Sequence, residues 1–249
     1  MIINDIKRTK HGYNVTIDQE VVHLELSVVT TYKLKKNMTI SLKQFKTMIH
    51  ENELQRIKRQ AIIYVSKSRS VLEFKTYLRK LEAPKPYIEE LTKSFKEKGY
   101  LNDSMYALEL VRRYEKKYGK RRLHTILVEK GIHEDIIERT LRNHKDINLE
   151  SQIKSMILTT KADNQVHART RIKRAMSNRG YDLGEVDEYL DKYLHERDFN
   201  EQESIHKHYD RLYQKLSKKY DGYELNIHMK KALYDKGFSL EIIDKILQE

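Results

Sequence analysis

The chain has 249 residues, of which 39% are hydrophobic and 35% charged, and its formal net charge is +12. It contains no cysteine, which excludes disulfides, thiolate nucleophiles and cysteine-ligated zinc. Residues 1–10 lack the apolar core of a signal peptide, and no stretch approaches the length of a membrane span. We therefore expect a cytoplasmic protein with narrow apolar seams and an acidic partner, of which nucleic acid is the commonest.

Before Ser41, two short stretches alternate between apolar and polar side chains with the period of two that is typical of β-strands. The alternating residues are Tyr13, Val15 and Ile17, after a Lys10-His11-Gly12 turn, and then Val22, Leu24 and Leu26. Ser41 and Gln44 have the spacing of a capping box, which predicts a helix with one apolar face. That face consists of Leu42, Phe45, Met48 and Ile49. This segment is either a stabilising cap on the rest of the chain or a separate binding unit.

One pattern occurs three times downstream: a base, a glycine, an apolar residue, and two further apolar residues at fixed spacing. The three sets are Lys130, Gly131, Ile132, Ile137 and Leu141; Arg179, Gly180, Tyr181, Val186 and Leu190; Lys236, Gly237, Phe238, Ile243 and Leu247. Each glycine suits a left-handed residue that ends one helix, with the base beside the negative helix end. The pattern therefore predicts a helix, a glycine stop and another helix in each copy.

Periodic stretches upstream of each glycine extend the unit to three short helices, within the length range of helical repeats. In the best-defined copy Asn102 caps a first helix and Gly119 precedes a second. An earlier, degenerate copy has Leu81-Glu82-Ala83-Pro84 in place of the glycine stop. We predict a mainly α fold of tandem three-helix repeats in an elongated curved array, with a small N-terminal antiparallel β unit. The predicted divisions are 1–50 for the β-rich unit plus a helix, 51–100 for the degenerate first repeat, and 101–146, 147–198 and 199–249 for the other repeats.

Two runs of bases stand out from the scattered charges. The first basic cluster consists of Arg112, Arg113, Lys116, Lys117, Lys120, Arg121 and Arg122, with Glu115 as its single acid. The second basic cluster consists of Arg169, Arg171, Lys173, Arg174 and Arg179, with no acid among them. Both occupy comparable places in successive repeats, so we interpret them as a phosphate-binding stripe on a concave face with salt-dependent affinity, rather than as solvated helix faces. Tyr114 and Tyr118, interleaved with these bases, are the candidates for stacking on nucleic-acid bases.

Motifs of catalysis do not occur in the sequence. There is no phosphate-binding glycine loop and no Gly-x-Ser-x-Gly elbow. His206 and His208 point to different faces of a helix, and no acidic cluster has the spacing of a nuclease metal site. We therefore predict no catalytic, cofactor-binding or metal-binding residue, and a protein that is not an enzyme.

Several of these segments together resemble the RecX family of bacterial regulators of the RecA recombinase, in its longer Gram-positive form. The most specific is Gly99-Tyr100-Leu101-Asn102-Asp103, followed by Tyr106-Ala107. The others are the segment with Ala61, Tyr64, Ser66, Arg69 and Ser70, and the three glycine stops. The chain departs from the family pattern where Leu81-Glu82 replaces a lysine and glycine, and where the third repeat lacks a counterpart of Gly119.

This resemblance implies a monomeric, non-enzymatic modulator that binds along the groove of the RecA filament on DNA. It implies mainly inhibition of RecA ATPase, strand exchange and coprotease activity in recombination, DNA repair and the SOS response. It also implies weaker contact with single- and double-stranded DNA, with the two basic clusters as the interaction surface. The alternative is a helical scaffold that binds nucleic acid non-specifically and acts by competition for DNA.

Overall fold

The computed structural model describes residues 1–248, which form a three-stranded sheet followed by thirteen α-helices. The strands are β1 (Ile3–Arg8), β2 (Tyr13–Ile17) and β3 (Glu20–Leu24), and a short helix α1 (Leu26–Thr31) follows them. Twelve helices come next in four triplets: α2 (Leu42–Tyr64), α3 (Val71–Lys80) and α4 (Lys85–Glu97); α5 (Asp103–Tyr114), α6 (Lys120–Glu129) and α7 (Glu134–Leu141); α8 (Leu149–Thr159), α9 (Gln165–Asn178) and α10 (Leu183–Tyr193); α11 (Glu201–Leu216), α12 (Gly222–Tyr234) and α13 (Leu240–Gln248). The predicted class, mainly helical with a small N-terminal antiparallel sheet, is confirmed.

The sheet is an antiparallel meander in the order β1-β2-β3, with Val15 opposite Ile6 on one side and Val22 on the other. Its buried face packs Val15 and Leu24 against Met48 of α2, as expected for a small sheet that needs a helix to cover it. The prediction that Leu26 continues the third strand is wrong, because the chain leaves the sheet at Glu25 and Leu26 starts α1 with an exposed side chain.

Glu25 ends the strand because its backbone and its carboxylate are both held from α2. The side-chain oxygen of Asn52 accepts the Glu25 N–H at 2.7 Å, and Arg59 Nε donates to the Glu25 carboxylate at 3.0 Å. This carboxylate is buried, and the Arg59 guanidinium compensates its charge. The contacts come from residues more than twenty positions away, and the local alternation of hydrophobicity does not contain them.

Helix α2 begins with the predicted capping box, in which Ser41 and Gln44 exchange side-chain to backbone hydrogen bonds. It then runs to Tyr64 without interruption, through the boundary predicted at residue 50. Met48 packs on the sheet, whereas Ile57 and Ala61 pack with α3 and α4. Leu42, predicted on the apolar face, is exposed instead, since it lies in the first turn before the covered surface begins.

The described chain separates into two compact units. One contains Met1–Ala107 together with Glu129–Ile136, and the other contains Leu108–Val128 together with the described residues from Ile137 onward. These units cut across the repeats predicted from the sequence, and Glu249, the end of the last one, lies outside the described residues. The repeat boundaries therefore stay a prediction.

The glycine stops adopt the left-handed conformation that the pattern predicts. The φ angles are 72° at Gly131, 83° at Gly180 and 82° at Gly237, two or three residues after the ends of α6, α9 and α12. In the first triplet Glu82 takes the same place after α3 with a φ of 57°. A residue with a Cβ pays about 1 kcal/mol for that conformation, so the turn is retained there without the residue that favours it.

The glycines also have a second role, close packing between triplets. A Cβ on Gly131 would lie 2.3 Å from the Leu72 side chain, and one on Gly180 would lie 2.2 Å from the Arg122 nitrogen. A Cβ on Gly237 would lie 2.8 Å from Val166 Cβ. The three contacted residues all lie in the first turn of the second helix of the preceding triplet. Each glycine stop therefore seats on the start of the second helix before it.

Candidate nucleic-acid interface

The α5–α6 and α9–α10 connections, which carry parts of the two basic clusters, are in direct backbone contact. Gly119 N–H donates to the Arg179 carbonyl at 2.9 Å, and Arg121 N–H donates to the Gly180 carbonyl at 3.1 Å. A Cβ on Gly119 would come within 2.6 Å of that same Gly180 carbonyl. The absence of side chains at both glycines thus lets the C-terminal part of the first cluster meet the end of the second.

A polar network from α8 holds this junction in place. The Gln152 side-chain amide donates to the Lys116 carbonyl at 3.1 Å and to the Tyr181 hydroxyl. Arg179 in turn donates to the Gln152 side-chain oxygen at 2.8 Å. Tyr181 is buried, and burial raises the pKa of its hydroxyl. Arg179, predicted to bind phosphate, has one guanidinium nitrogen bound inside the protein.

An exposed ion pair joins the two connections at the surface. Arg121 donates to the Asp182 carboxylate at 2.6 Å, and the other Asp182 oxygen accepts the Gly184 N–H at 2.8 Å as the cap of α10. Both side chains are largely exposed, so the pair contributes at most about 1 kcal/mol to stability. Its geometric effect is to direct the Arg121 guanidinium toward α10.

The rest of the first basic cluster is mostly exposed. Arg112, Lys116 and Lys117 make no side-chain ion pair with any residue of 1–248, whereas Arg113 pairs with Glu109 at 2.5 Å. Lys120 is exposed in the first turn of α6, and the Arg122 side chain is half-buried. These positions give the first basic cluster several ammonium and guanidinium groups that a phosphate can reach.

The two candidate stacking tyrosines lie close to these bases. The Tyr114 and Tyr118 rings are tilted, with centroids 6.0 Å apart, and both are half-buried. Lys117 Nζ lies 5.1 Å from the Tyr118 ring centroid, a cation–π distance. The structure places a partly accessible aromatic pair beside the exposed bases, and a role in base stacking stays a prediction.

The second basic cluster is arranged differently, because acids from α10 lie opposite it. Arg169 donates to Asp187 at 3.1 Å and also pairs with Asp191, and Lys173 Nζ binds the other Asp187 oxygen at 2.6 Å. The hydrogen bond from Lys173, together with the nearby charges, holds the pKa of the Asp187 carboxyl below its usual range. Two of the five bases of this cluster are therefore locally neutralised in the folded protein.

Two other members of the second basic cluster, Arg171 and Arg174, are exposed residues of α9. The Arg171 guanidinium donates to the Lys161 carbonyl, and Arg174 is exposed without an ion pair among the described residues. Arg174 is consequently the base of this cluster with the greatest freedom to bind an external anion. The sequence carried a signal for this difference, since the segment after Gly180 is rich in acids.

A cavity next to the junction extends the cationic surface. It has a volume of about 560 Å³, an apolar floor from Ile137 and Leu141, and a rim that includes Lys120, Arg121 and Arg142. An adjoining cavity of about 530 Å³ shares Lys120 and Arg121 and reaches His144 and Asp146. Sequence reasoning did not identify either cavity.

His144 and Asp146 form a nearly buried pair in the second of these cavities, with His144 Nε2 3.2 Å from the Asp146 carboxylate. Burial raises the pKa of the Asp146 carboxyl, while His144 and the Lys120 backbone N–H act against that rise. The pair thus ties the connection after α7 to the start of α6. Its residues give no recognisable motif in the sequence.

Neither metal-binding geometry nor a membrane span is found in the described part of the chain. Over residues 1–248 no three His, Asp or Glu side chains converge in an arrangement that could hold a metal ion. His208 Nε2 instead lies 3.3 Å from a single carboxylate, Asp163. None of the described helices combines the length and the apolar character needed to cross a membrane.

Known proteins similar to this chain match it from end to end. A regulatory protein RecX from Bacillus cereus (strain 03BB102) is 30% identical over 256 residues, which cover 97% of this chain and 94% of the relative. The chain belongs to the RecX family. A second RecX, from Halalkalibacterium halodurans, is 28% identical over 98% of this chain and 96% of its own length. No family model matches the chain.

Solved RecX structures share the fold. A crystal structure of regulatory protein RecX superposes with a TM-score of 0.55 at 17% identity, and covers 79% of this chain and 99% of its own. The crystal structure of RecX from Lactobacillus salivarius gives a TM-score of 0.53 at 21% identity, over 59% of this chain and 99% of its own. The RecX resemblance noted in the sequence is thereby confirmed, and the relatives carry the description of regulatory proteins.

Proposed function

We propose that this member of the RecX family regulates the RecA recombinase by binding the RecA filament on DNA. Its main effect is inhibition of RecA ATPase, strand exchange and coprotease activity, and hence control of recombination, DNA repair and the SOS response. The role is non-enzymatic, and the protein acts as a monomer. The observation that carries the proposal is the similarity to RecX regulatory proteins over 97% of the chain.

The exposed part of the first basic cluster supports a contact with the DNA of the filament. Arg112, Lys116 and Lys117 are exposed and have no internal ion pair among the described residues, so an external phosphate does not compete with an acid of the protein. Each such contact releases counterions from DNA, which makes binding depend on salt. We assign DNA contact to this surface, with Arg174 as its extension on α9.

The second candidate is a scaffold that binds nucleic acid non-specifically and affects recombinase by competing for DNA. The same exposed bases favour it, because phosphate contacts alone do not select a filament over naked DNA. The two candidates predict different stoichiometry. A competitor must cover the DNA, whereas a filament modulator acts at a small number of sites.

The test is ATP hydrolysis by the cognate RecA on single-stranded DNA, with DNA in large excess and this protein well below one copy per recombinase. Inhibition under these conditions supports the filament modulator. An effect that begins only when the DNA is saturated supports competition instead. A separate titration of this protein against DNA without RecA, at the same salt concentration, gives the protein concentration at which the DNA is saturated.

A further inference from the structure

Helix α12 has two apolar faces. Its inner face buries Leu225, Met229 and Leu233. On its opposite side Tyr223 is 81% exposed, Ile227 48% and Tyr234 59%. The spacing of four and then seven residues places these three side chains on one stripe, which we call the outer α12 face.

The second helices of the four triplets can be aligned by their buried residues, which shows how unusual this stripe is. The aligned buried pairs are Phe74 and Leu78, Leu123 and Leu127, Ala168 and Ile172, and Leu225 and Met229. Two positions after the first member of each pair stand Thr76, Thr125, Thr170 and Ile227. The first three helices thus carry threonine where α12 carries an exposed isoleucine.

The start of each earlier second helix is covered by the glycine stop of the next triplet. Gly131 seats on Leu72, Gly180 on Arg122 and Gly237 on Val166. Hydrogen bonds accompany two of these contacts: Gly119 N–H donates to the Arg179 carbonyl, and the Asn164 side-chain amide donates to the Lys236 carbonyl, both at 2.9 Å. The surface at the start of a second helix is therefore shaped to receive a helix end closed by glycine.

The start of α12 has similar features, but no glycine stop among residues 1–248 packs on it. Tyr223 occupies the position of Leu72 and Val166, and a Cβ on the adjacent Gly222 would meet no atom within 4 Å. Asp221, the residue before the helix, makes no side-chain capping hydrogen bond. A large exposed aromatic and an unused acceptor lie where the earlier triplets have a filled contact.

We propose that the outer α12 face, with Asp221, is a docking surface for a protein helix end closed by a base and a glycine, supplied by a protomer of the recombinase filament. This assignment of the partner rests on the proposed function. The kind of partner follows from contacts within the chain, because the start of the second helix in each of the first three triplets packs against a helix end closed by glycine. The Asp221 carboxylate complements the base that precedes the glycine.

A second copy of this chain fits the surface less well. Gly131, Gly180 and Gly237 are already seated on Leu72, Arg122 and Val166 within the chain. In the first triplet Glu82 stands where a stop glycine would be needed. Gly99, after Lys98, has no neighbour within 4 Å, but it follows the third helix α4, whereas the three seated glycines each follow a second helix. Nucleic acid is also disfavoured, because the acids Asp221 and Glu224 flank Tyr223 and would repel phosphate.

The experiment compares two double variants in the full chain. Tyr223→Ser with Ile227→Thr removes the outer α12 face and introduces at position 227 the residue that the earlier triplets use. Lys116→Glu with Lys117→Glu is the matched control at the DNA surface. We expect the first variant to need at least roughly tenfold more protein for half-inhibition of RecA ATPase, as for loss of a buried aromatic anchor, with unchanged DNA affinity by fluorescence anisotropy and unchanged circular dichroism.

A cross-linking arm separates this inference from the proposed function. Because the chain has no cysteine, Tyr223→Cys gives a single site for a benzophenone label, with Ser217→Cys as a control position. Cross-linking from position 223 to RecA in the filament supports the docking surface, even if the parent protein fails to inhibit ATPase and the proposed function falls. Cross-linking only to DNA or to a second copy, or no cross-link, overturns it whether or not the parent inhibits. Where the parent does inhibit, unchanged inhibition by the first variant also overturns it.

Discussion

Lys116 and Lys117, in the connection before α6, are exposed to solvent, whereas Arg169 and Lys173 in α9 bind the carboxylate of Asp187 in α10. Both groups come from dense runs of bases at comparable places in successive triplets. They differ because no acid among residues 1–248 forms an ion pair with Lys116 or Lys117, while α10 supplies Asp187 and Asp191 to the second pair. A run of positive charge is thus available to a partner only where the neighbouring helix leaves it unpaired.

The largest expected effect comes from breaking the junction that brings the two clusters together. Gly180→Ala places a Cβ 2.2 Å from the Arg122 nitrogen in a residue with a φ of 83°. Overpacking against backbone and the left-handed conformation together should cost about 3 kcal/mol or more in the free energy of unfolding. Urea denaturation monitored by circular dichroism measures this loss.

Gly222→Ala is the matched control for that variant. Gly222 also has a positive φ, of 47°, and lies in the same compact unit, but a Cβ there would meet no neighbour. We expect a loss of about 1 kcal/mol from the backbone conformation alone. Equal losses in both variants would show that close packing at Gly180 has no energetic weight.

The next largest effect tests the two exposed lysines of the first basic cluster. Lys116→Glu with Lys117→Glu should weaken binding to double-stranded DNA by roughly tenfold or more and lower the slope of log affinity against log salt by about 2, since two phosphate contacts are lost. Stability should stay within about 0.5 kcal/mol of the parent, because both side chains are on the surface. Anisotropy titrations at several salt concentrations make the measurement, and an unchanged slope would contradict the assignment of DNA contact to these lysines.

A third variant converts the paired cluster into an exposed one. Asp187→Asn with Asp191→Asn removes the acids opposite Arg169 and Lys173 while it keeps the size of both side chains. If pairing is what withholds these bases, DNA affinity should rise by roughly threefold to tenfold at low salt, and the salt slope should steepen. An affinity equal to the parent's would mean that the position of α9, and not the ion pairs, keeps the second basic cluster from DNA.

Much of the fold follows from local patterns, and the errors fall where distant residues decide. The glycine stops at 131, 180 and 237 and the capping box at Ser41 depend on nearby backbone, so the sequence pattern was sufficient to predict them. The packing of Gly180 on Arg122 joins residues more than fifty positions apart and leaves no local mark. Leu26 was misassigned to a strand for the same reason, because Asn52 and Arg59 end that strand from α2.

The candidate site shows the same division. Sequence density alone drew attention to the first basic cluster, of which Arg112, Lys116 and Lys117 are exposed and unpaired among the described residues. It could not separate Arg174, which is exposed, from Arg169 and Lys173, which are paired across α9 and α10. The acids after Gly180 were visible in the sequence, but which bases they meet depends on how the two helices pack.

The smallest expected effect concerns how the stability contributed by the Asp187–Lys173 ion pair depends on pH. The pKa of Asp187 is lowered in the folded protein, chiefly by the hydrogen bond from Lys173, so the pair stabilises the fold above the ordinary pKa of 3.8 and the gain is lost as pH falls through the folded pKa. Lys173→Gln should therefore cost about 0.5 kcal/mol near neutral pH, a value discounted because both groups are about a third exposed. Below pH 3.8, where the carboxyl is increasingly protonated, the difference between variant and parent should shrink toward zero. Urea denaturation at pH 7 and near pH 3 measures both values, and a loss that is independent of pH would mean that the lysine acts through packing of its aliphatic stem rather than through its charge.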